Sequence, residues 1–428
     1  MQRRRRYAGL VAAGLVTGLL ATLTACGDTG PLSDRTTLKV VAIDHGDRSG
    51  NSSKRWWDKL IGEYQFDHGD VEVDVDVYDR SRIDQKVAEL AEAGNPPDIA
   101  ITSGTFAEYA EREKLHRASD VLSTFTQGSF VASLAEAGTV GRVQYGIPFS
   151  ASTRMLFYNK KLFAEAGVEE PPGTWEELLE AARALRTAGV PSPYGLPLGP
   201  EEAQAETLNW MLGGGGNYTD DGGAYDLDSP QNVATFTWLR DDLVGAGLTN
   251  EDPATTDRDA AYAAFTQGDV AMLNGHPGLM RLALENGIDF GTAPLPGKDG
   301  PVETTTGVAD WLMAFDNGEG REEHVRSFLD FVYGEKYVTS YADTYDMLPV
   351  TTPATQAMRD DAQYKPLWKF LEALDTARFY PVGKTSWGPV LHDLKTGIGS
   401  AVLEKGDPKA VLGRLQRDAM SRDVAEAE

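Results

Sequence analysis

The chain has 428 residues, with 40 Lys and Arg set against 65 Asp and Glu, giving a formal net charge of −25 at pH 7. That acidity excludes binding to nucleic acid or an anionic surface through bulk charge, while 41% apolar residues with 8 Trp and 16 Tyr exclude a disordered chain. The length exceeds one hydrophobic core, so two domains are expected.

The N-terminus reads MQRRRR and continues as an uncharged run from Tyr7 to Ala25. This is the charged and apolar layout of a bacterial secretory signal. A retained membrane anchor is the competing reading, because the run is about long enough to cross a bilayer, but it is rich in Ala, Gly and Thr rather than Leu and Phe. It closes on Leu23-Thr24-Ala25-Cys26, and Cys26 is the only cysteine in the chain. The segment resembles the lipobox of bacterial lipoproteins, in which the signal is cut before the cysteine and the thiol is acylated. The resemblance implies a signal peptide over 1–25 and a lipid on Cys26; the small, polar residues that follow read as a tether over 26–36. Removing 1–25 takes away four Arg and no acid, so −25 becomes −29. Export by the general or the twin-arginine route stays open.

Residues 37–43, TLKVVAI, predict a buried strand. In KRWWDKLIGEYQF, Trp57, Leu60, Ile61 and Tyr64 recur at helical spacing. VEVDVDVY over 71–78 alternates Val71, Val73, Val75 and Val77 with Glu72, Asp74 and Asp76, which predicts a strand with one covered face. A helix carrying Ile83, Val87 and Leu90 and a strand over 97–102 follow. This βαβαβ order predicts a parallel sheet flanked by helices. Ligands meet the carboxyl ends of such strands, which here present Asp44 and His45, Arg80, and Thr105. Beyond 150 a short strand, RMLFYN, leads to a helix opened by Thr174 with Glu177 as its capping-box partner. Helices are expected near 201–212, 230–245 and 257–267, and strands at 270–275, 290–296 and 307–315. The last hundred residues read as mostly helical, with Val325, Phe328, Leu329 and Val332 on one stripe.

Six histidines, at 45, 68, 116, 276, 324 and 392, show no ligand spacing, so no transition-metal site is expected. The acidic stretch from Asp220 to Asp228 lacks the calcium-loop spacing and reads as a turn. Gly213 to Gly216 lacks a following Lys-Ser/Thr, so it is no phosphate loop, and no G-x-S-x-G appears. A pair of carboxylates acting as a glycosidase is left open by so many acids. Trp56, Trp57, Trp175, Trp238 and Trp368 sit in helical patterns and are expected to pack. Trp210 beside Asn209, Trp311 beside Asp310, and Trp387 in GKTSWGP offer an aromatic face next to a polar group or in a loop, which suits the C–H face and hydroxyls of a sugar. Packing is the alternative for each.

The pieces WWDKLIGEYQF, VEVDVDVY, GNPPDIAITSG, YGIPFSASTRMLFYNKKLFAEAGVEEPPGTWEELLEAARAL, AAFTQGDVAMLNGHPGLM, FGTAPLPG and YDMLPVT follow one another in this order. With them the chain, over nearly all of 37–420, resembles the extracellular solute-binding proteins of bacterial ABC importers, in the sugar-binding branch that includes maltose-binding proteins. The resemblance implies an α/β, two-lobed fold in which each lobe is a helix-flanked sheet and three inter-lobe crossovers border a ligand cleft. It implies lobe one at 37–148 plus 268–308 and lobe two at 152–265 plus 312–420. It also implies capture and delivery of a mono- or oligosaccharide to permease membrane subunits, with no chemistry on the solute and no cofactor. The protein is expected to act as a monomer held to the membrane by its lipid alone. Ligand contacts carried over are Asp44, His45, Phe149, Ser150, Arg154, Asn274, His276, Asp310 and Trp311, joined as candidates by Arg80, Thr105, Asn209, Trp210, Tyr345 and Trp387. His276 stands where the family often has tryptophan, and Gly307-Val308-Ala309-Asp310 replaces a more usual glycine pair. Arg154 as an inter-lobe structural pair and His276 as a turn residue are the alternative roles. A peptide, polyamine or phosphodiester receptor and a secreted glycan-processing enzyme are the rival functions.

Overall fold

The computed structural model describes residues 35–427. The expected signal, Cys26 and nearly all of the tether lie outside the described residues. The strands are β1 (Thr36–Asp44), β2 (Val71–Asp79), β3 (Ile99–Thr102), β4 (Thr139–Val140), β5 (Val143–Gln144), β6 (Ile147–Thr153), β7 (Met155–Asn159), β8 (Ser192–Gly195), β9 (Val270–Gly275), β10 (Phe290–Ala293) and β11 (Gly307–Ala314). They form a first sheet ordered β2-β1-β3-β11-β6, a second ordered β10-β7-β9-β8, and the small β4-β5 hairpin.

The first sheet grows from the pattern seen in the sequence. β1 and β2 pair in parallel from Thr36↔Val71 to Asp44↔Asp79. Val71, Val73 and Val75 are buried while Glu72, Asp74 and Asp76 are exposed, so one face of β2 is covered. The cover includes helix Ser53–Asp67, which buries Trp57, Leu60, Ile61 and Tyr64 and is capped by Ser52. In the second lobe the capping box of Thr174 and Glu177 opens helix Trp175–Thr187 as expected. The segment read as helix 230–245 is helix Pro230–Trp238 followed by a π-turn over Leu239–Val244. Asp220 accepts hydrogen bonds from the backbone N–H groups of Gly222 and Ala224, at 2.8 and 2.9 Å, so this acid closes a turn.

The two sheets are joined at three places. β6 passes into β7 through Arg154, the chain returns from β10 to β11 over 294–306, and it leaves again between helix Trp368–Leu374 and helix Trp387–Gly397. The crossings are bonded side by side. Thr305 Oγ1 donates to the Arg154 carbonyl at 2.8 Å, Arg378 N donates to the Thr305 carbonyl at 2.9 Å, and Gly307 N donates to the Arg378 carbonyl at 2.8 Å.

This pairing corrects the segment assignment drawn from the resemblance. Residues 268–308 were expected in lobe one, yet β9 and β10 both flank β7 in the second sheet. Residues 312–420 were expected in lobe two, yet β11 lies between β3 and β6 in the first sheet. Helix Glu322–Val332 packs on helix Ser53–Asp67 and β1, so it too belongs with the first sheet, whereas the segment from Trp387 onward packs on second-lobe helices. Short apolar strands carry no mark of which sheet they will join; distant hydrogen-bond partners decide it.

A methyl group added at Gly307 would meet the Phe379 ring at 2.4 Å, because two crossings touch there. Gly307→Ala is therefore expected to cost about 1–3 kcal/mol in urea unfolding, and Phe379→Leu in the same chain to recover part of it. An unchanged midpoint in the single variant would show that the crossings are loosely packed.

Candidate functional site

Both sheets turn strand ends toward the crossings. In the first sheet β1, β2, β3 and β6 run in one direction and end there, and the antiparallel β11 begins there. In the second sheet β8 and β9 end there, where the antiparallel β7 begins. The loops after these strands form two walls of a cleft.

On the first wall Asp310 is the centre. A register shift between Asp310 and Trp311 breaks the β11–β6 ladder at this point, a device that re-aims a side chain. Arg80, just past the end of β2, grips Asp310 with both terminal guanidinium nitrogens, at 2.6 and 2.9 Å, the fork geometry of a strong pair. Ser150 Oγ donates to Asp310 at 2.7 Å. His45 Nε2 lies 2.9 Å from Asp310, and its Nδ1 lies 2.5 Å from the Tyr341 hydroxyl, so the ring is clamped at both edges. Burial pushes the Asp310 carboxyl up, but Arg80 and the His45 hydrogen bond outweigh it and hold the group well below the usual carboxylate range. The Asp310 side chain is 4% exposed and that of Arg80 is 47% exposed. The acid is sealed in, and its cation opens to the cleft.

On the second wall Glu202, just before helix Ala203–Gly213, is the centre. Arg154 donates to it at 2.9 Å, and Arg258, which opens helix Arg258–Gln267, lies 3.5 Å from its other oxygen. Arg258 also donates to Glu201 at 2.5 Å and lies 3.2 Å from His276 Nε2. Burial pushes the Glu202 carboxyl up, but Arg154 and Arg258 overcome it and bring it down to about 2. Burial, Arg258 and Arg154 together hold the His276 imidazole well below its ordinary value, which keeps it neutral. The two walls sense each other: Arg80 favours the charged form of Glu202, and Glu202 favours that of Arg80. Lys395, on helix Trp387–Gly397, feels Glu202, Glu201 and Arg80 together.

The structure thus brings His45, Arg80, Ser150, Arg154, His276 and Asp310 to the cleft walls. Tyr345 stands beside His45, with ring centres 5.8 Å apart. Asp44 is exposed and accepts from its own loop at Gly46, and Thr105 bonds Thr102 beneath the loop after β3. The tryptophans go elsewhere. Trp311 is 1% exposed and packs on Phe106 and Phe379. Trp210 is 3% exposed among Trp175, Tyr194 and Trp238. Trp387, expected in a loop, is the first residue of its helix and lies buried between Tyr218 and Tyr380. In this structure protein groups cover all three rings. A half-buried aromatic ring near the second wall is Tyr380, stacked on Trp387.

Asn209, Trp210 and Asn274 instead belong to a buried cluster around Glu206. That carboxylate accepts from Trp210 Nε1 at 2.7 Å and Asn274 Nδ2 at 3.0 Å. Burial pushes the Glu206 carboxyl up to about 7, against the pull of Trp210. Sequence reasoning missed Glu202, Glu206, Arg258, Tyr341 and Tyr380. The pair Glu201-Glu202 ahead of a helix was a visible mark, but nothing local tied it to Arg154.

Two sheets joined by three crossings, with a polar cleft at the joint, define a two-lobed α/β binding protein. The bacterial extracellular solute-binding protein family matches residues 50–339, well over half of the chain, and the protein belongs to that family. It is accordingly a substrate-binding protein and not an enzyme. The diacetylchitobiose binding protein DasA of Streptomyces coelicolor is 24% identical over 358 residues, covering 79% of this chain and 81% of DasA. An sn-glycerol-3-phosphate-binding periplasmic protein of Brucella melitensis is 27% identical over 229 residues, 51% of this chain and 52% of that protein. Among solved structures, the cyclic alpha-maltosyl-1,6-maltose binding protein of Arthrobacter globiformis superposes with a TM-score of 0.76 at 20% identity, covering 91% of this chain and 99% of the other. Among the described residues no helix is long and apolar enough to cross a membrane.

Glu206 makes stability depend on pH. Folding raises its proton affinity from the ordinary 4.5 to about 7, so its contribution is fully present below about 4.5 and is lost as pH rises through about 7. The loss is of order 3 kcal/mol. Urea unfolding of Glu206→Gln between pH 5 and about 8 is expected to show a flatter profile than the parent; identical slopes would contradict the buried protonated carboxyl.

Proposed function

We propose that the protein captures a neutral carbohydrate, a mono- or oligosaccharide, between its lobes and delivers it to the permease of an ABC importer. The observation that carries this is the pairing of charge within each wall. Asp310 is held by Arg80, His45 and Ser150, and Glu202 by Arg154 and Arg258. A charged solute would have to break one of these pairs and leave its partner desolvated. A polyhydroxyl solute accepts from the open edge of Arg80 and donates to carboxylates without breaking anything. The half-buried Tyr380 ring, stiffened by its stack on Trp387, offers a flat face for the C–H side of a sugar. The diacetylchitobiose- and maltosyl-maltose-binding relatives agree with this choice. The candidate contacts are His45, Arg80, Ser150, Arg154, Glu202, Arg258, His276, Asp310, Tyr345 and Tyr380, with Asp44 and Thr105 at the margin.

A second reading has a specific support. Arg80, Arg154, Arg258 and Lys395 gather at one cleft, and a glycerol-phosphate-binding protein is among the relatives. Calorimetry separates the two. Maltose and diacetylchitobiose are the first sugars to titrate, and one or more is expected to release heat, with sn-glycerol-3-phosphate silent. Heat from the phosphate alone would overturn the neutral-sugar reading. Asp310→Ala frees Arg80 and is expected to weaken sugar binding at least tenfold.

The same reading assigns residues 1–25 as a signal peptide and Cys26 as the lipid attachment point, holding a monomeric receptor on the outer side of the cell membrane. Cys26→Ser is expected to move the protein from the membrane fraction to the medium while sugar binding stays unchanged. Retention at the membrane would contradict the anchor, and lost binding would give this stretch a different role.

A further inference from the structure

Away from the walls, one side chain crosses from lobe to lobe at the mouth of the cleft. Arg281 lies on helix Gly278–Glu285, whose Leu279 and Ala283 are buried in the second lobe. Its Nε donates to Asp346 Oδ2 at 2.6 Å, and its Nη2 donates to Asp47 Oδ2. Both acids belong to the first lobe. Asp47 lies in the loop after β1, two residues beyond His45. Asp346 follows helix Glu335–Thr344 and adjoins Tyr345. The lobes also meet sterically here, since a methyl on Gly278 would sit 3.8 Å from the Asp346 Cβ.

The two acids are arranged before Arg281 arrives. Asn51 holds Asp47 with a donated bond at 2.8 Å and accepts from its backbone N–H at 3.1 Å. Asp346 has φ of +55°, a left-handed conformation that is uncommon for a residue other than glycine. Such a conformation persists where its surroundings demand it. Within the first lobe the cation reaching both acids is Arg48, at 3.4 Å from Asp47 and 3.5 Å from Asp346. If the second lobe swings away, the two neighbouring carboxylates keep Arg48 as a shared cation, and Asp47 keeps its bond from Asn51, but both lose the Arg281 fork.

We propose that Arg281 is an inter-lobe clasp, a positioning residue that holds the cleft closed and thereby sets how long a captured solute is retained. The inference rests on the two-lobed receptor reading, but not on the identity of the solute. The contact couples closure to the ligand walls through short links, from Asp47 to His45 and from Asp346 to Tyr345. Its side chains are part-open, at 21% for Arg281, 24% for Asp346 and 50% for Asp47. A clasp of that exposure is screened by salt.

The test needs no sugar. Spin labels on Lys59→Cys in the first lobe and Ala164→Cys in the second, in the chain carrying Cys26→Ser, report the inter-lobe distance of ligand-free protein. At low salt the parent is expected to populate the short inter-lobe distance more than Arg281→Gln, whose distribution shifts to longer values. Arg281→Lys is expected to fall between them, because it keeps the charge and loses the fork. Asp346→Asn should move the distance in the same direction as Arg281→Gln, and about 1 M NaCl should bring the parent toward the variants. Coincident distributions for parent and Arg281→Gln, with unchanged thermal midpoints, would overturn the clasp. If the sugar titrations fail while these distances shift, the solute class is wrong and the clasp stands. Where a sugar binds, its dissociation from Arg281→Gln is expected to be about three- to tenfold faster, with the association rate nearly unchanged.

Discussion

The hydrogen bonds that tie Arg154, Thr305, Gly307 and Arg378 bring three separate crossings of the chain to one line. The cleft depends on this constraint. Because β6 becomes β7 through one residue, the strand ends of both sheets must face the same seam. Because the crossings are bonded to one another, the lobes can rotate about the seam but have little freedom to slide along it. A binding protein that encloses its solute needs this restriction, since the walls have to meet in the same register at each closure.

Electrostatics then shapes what the seam can hold. Each wall carries a carboxylate that burial alone would neutralise, and each stays ionised because cations stand beside it. Such pairs contribute little net stability, since desolvation offsets attraction, but breaking one is costly. They therefore stand as fixed, oriented donors and acceptors along both walls. Behind the second wall, Glu206 is treated differently. With Trp210, Asn209 and Asn274 for company it has, among the described residues, no cation at contact distance, and its carboxyl shifts toward the neutral form. The clasp at Arg281 belongs to neither wall and acts at the mouth, where solvent weakens each ion pair and the arrangement of several charges matters more than any one.

Local structure was plain in the sequence. The alternation over Val71 to Val77, the spacing of Trp57, Leu60, Ile61 and Tyr64, and the Thr174 capping box each led to the element found. The strand-end residues His45 and Arg80 were also legible, because parallel βαβ order fixes which end of a strand meets ligand. The tryptophans show where this reasoning stopped. Asp310 and Trp311 are neighbours that look like one sugar-binding unit, yet successive strand residues face opposite ways, so the acid meets Arg80 and His45 while the ring enters the core.

Composition and periodicity alone thus determined an acidic, ordered, two-domain α/β chain with a parallel start and carboxyl-end loops as the place to look; the ordered motifs added the family. Which sheet each later strand joins was decided only in three dimensions, since β9 and β11 are similar apolar runs that differ in their distant partners. The pairing of Arg154 with Glu202, of Arg80 with Asp310 and of Arg281 with Asp346 was decided there too. A charge finds its counter-charge through the packing of whole elements, and sequence separation carries no record of that distance.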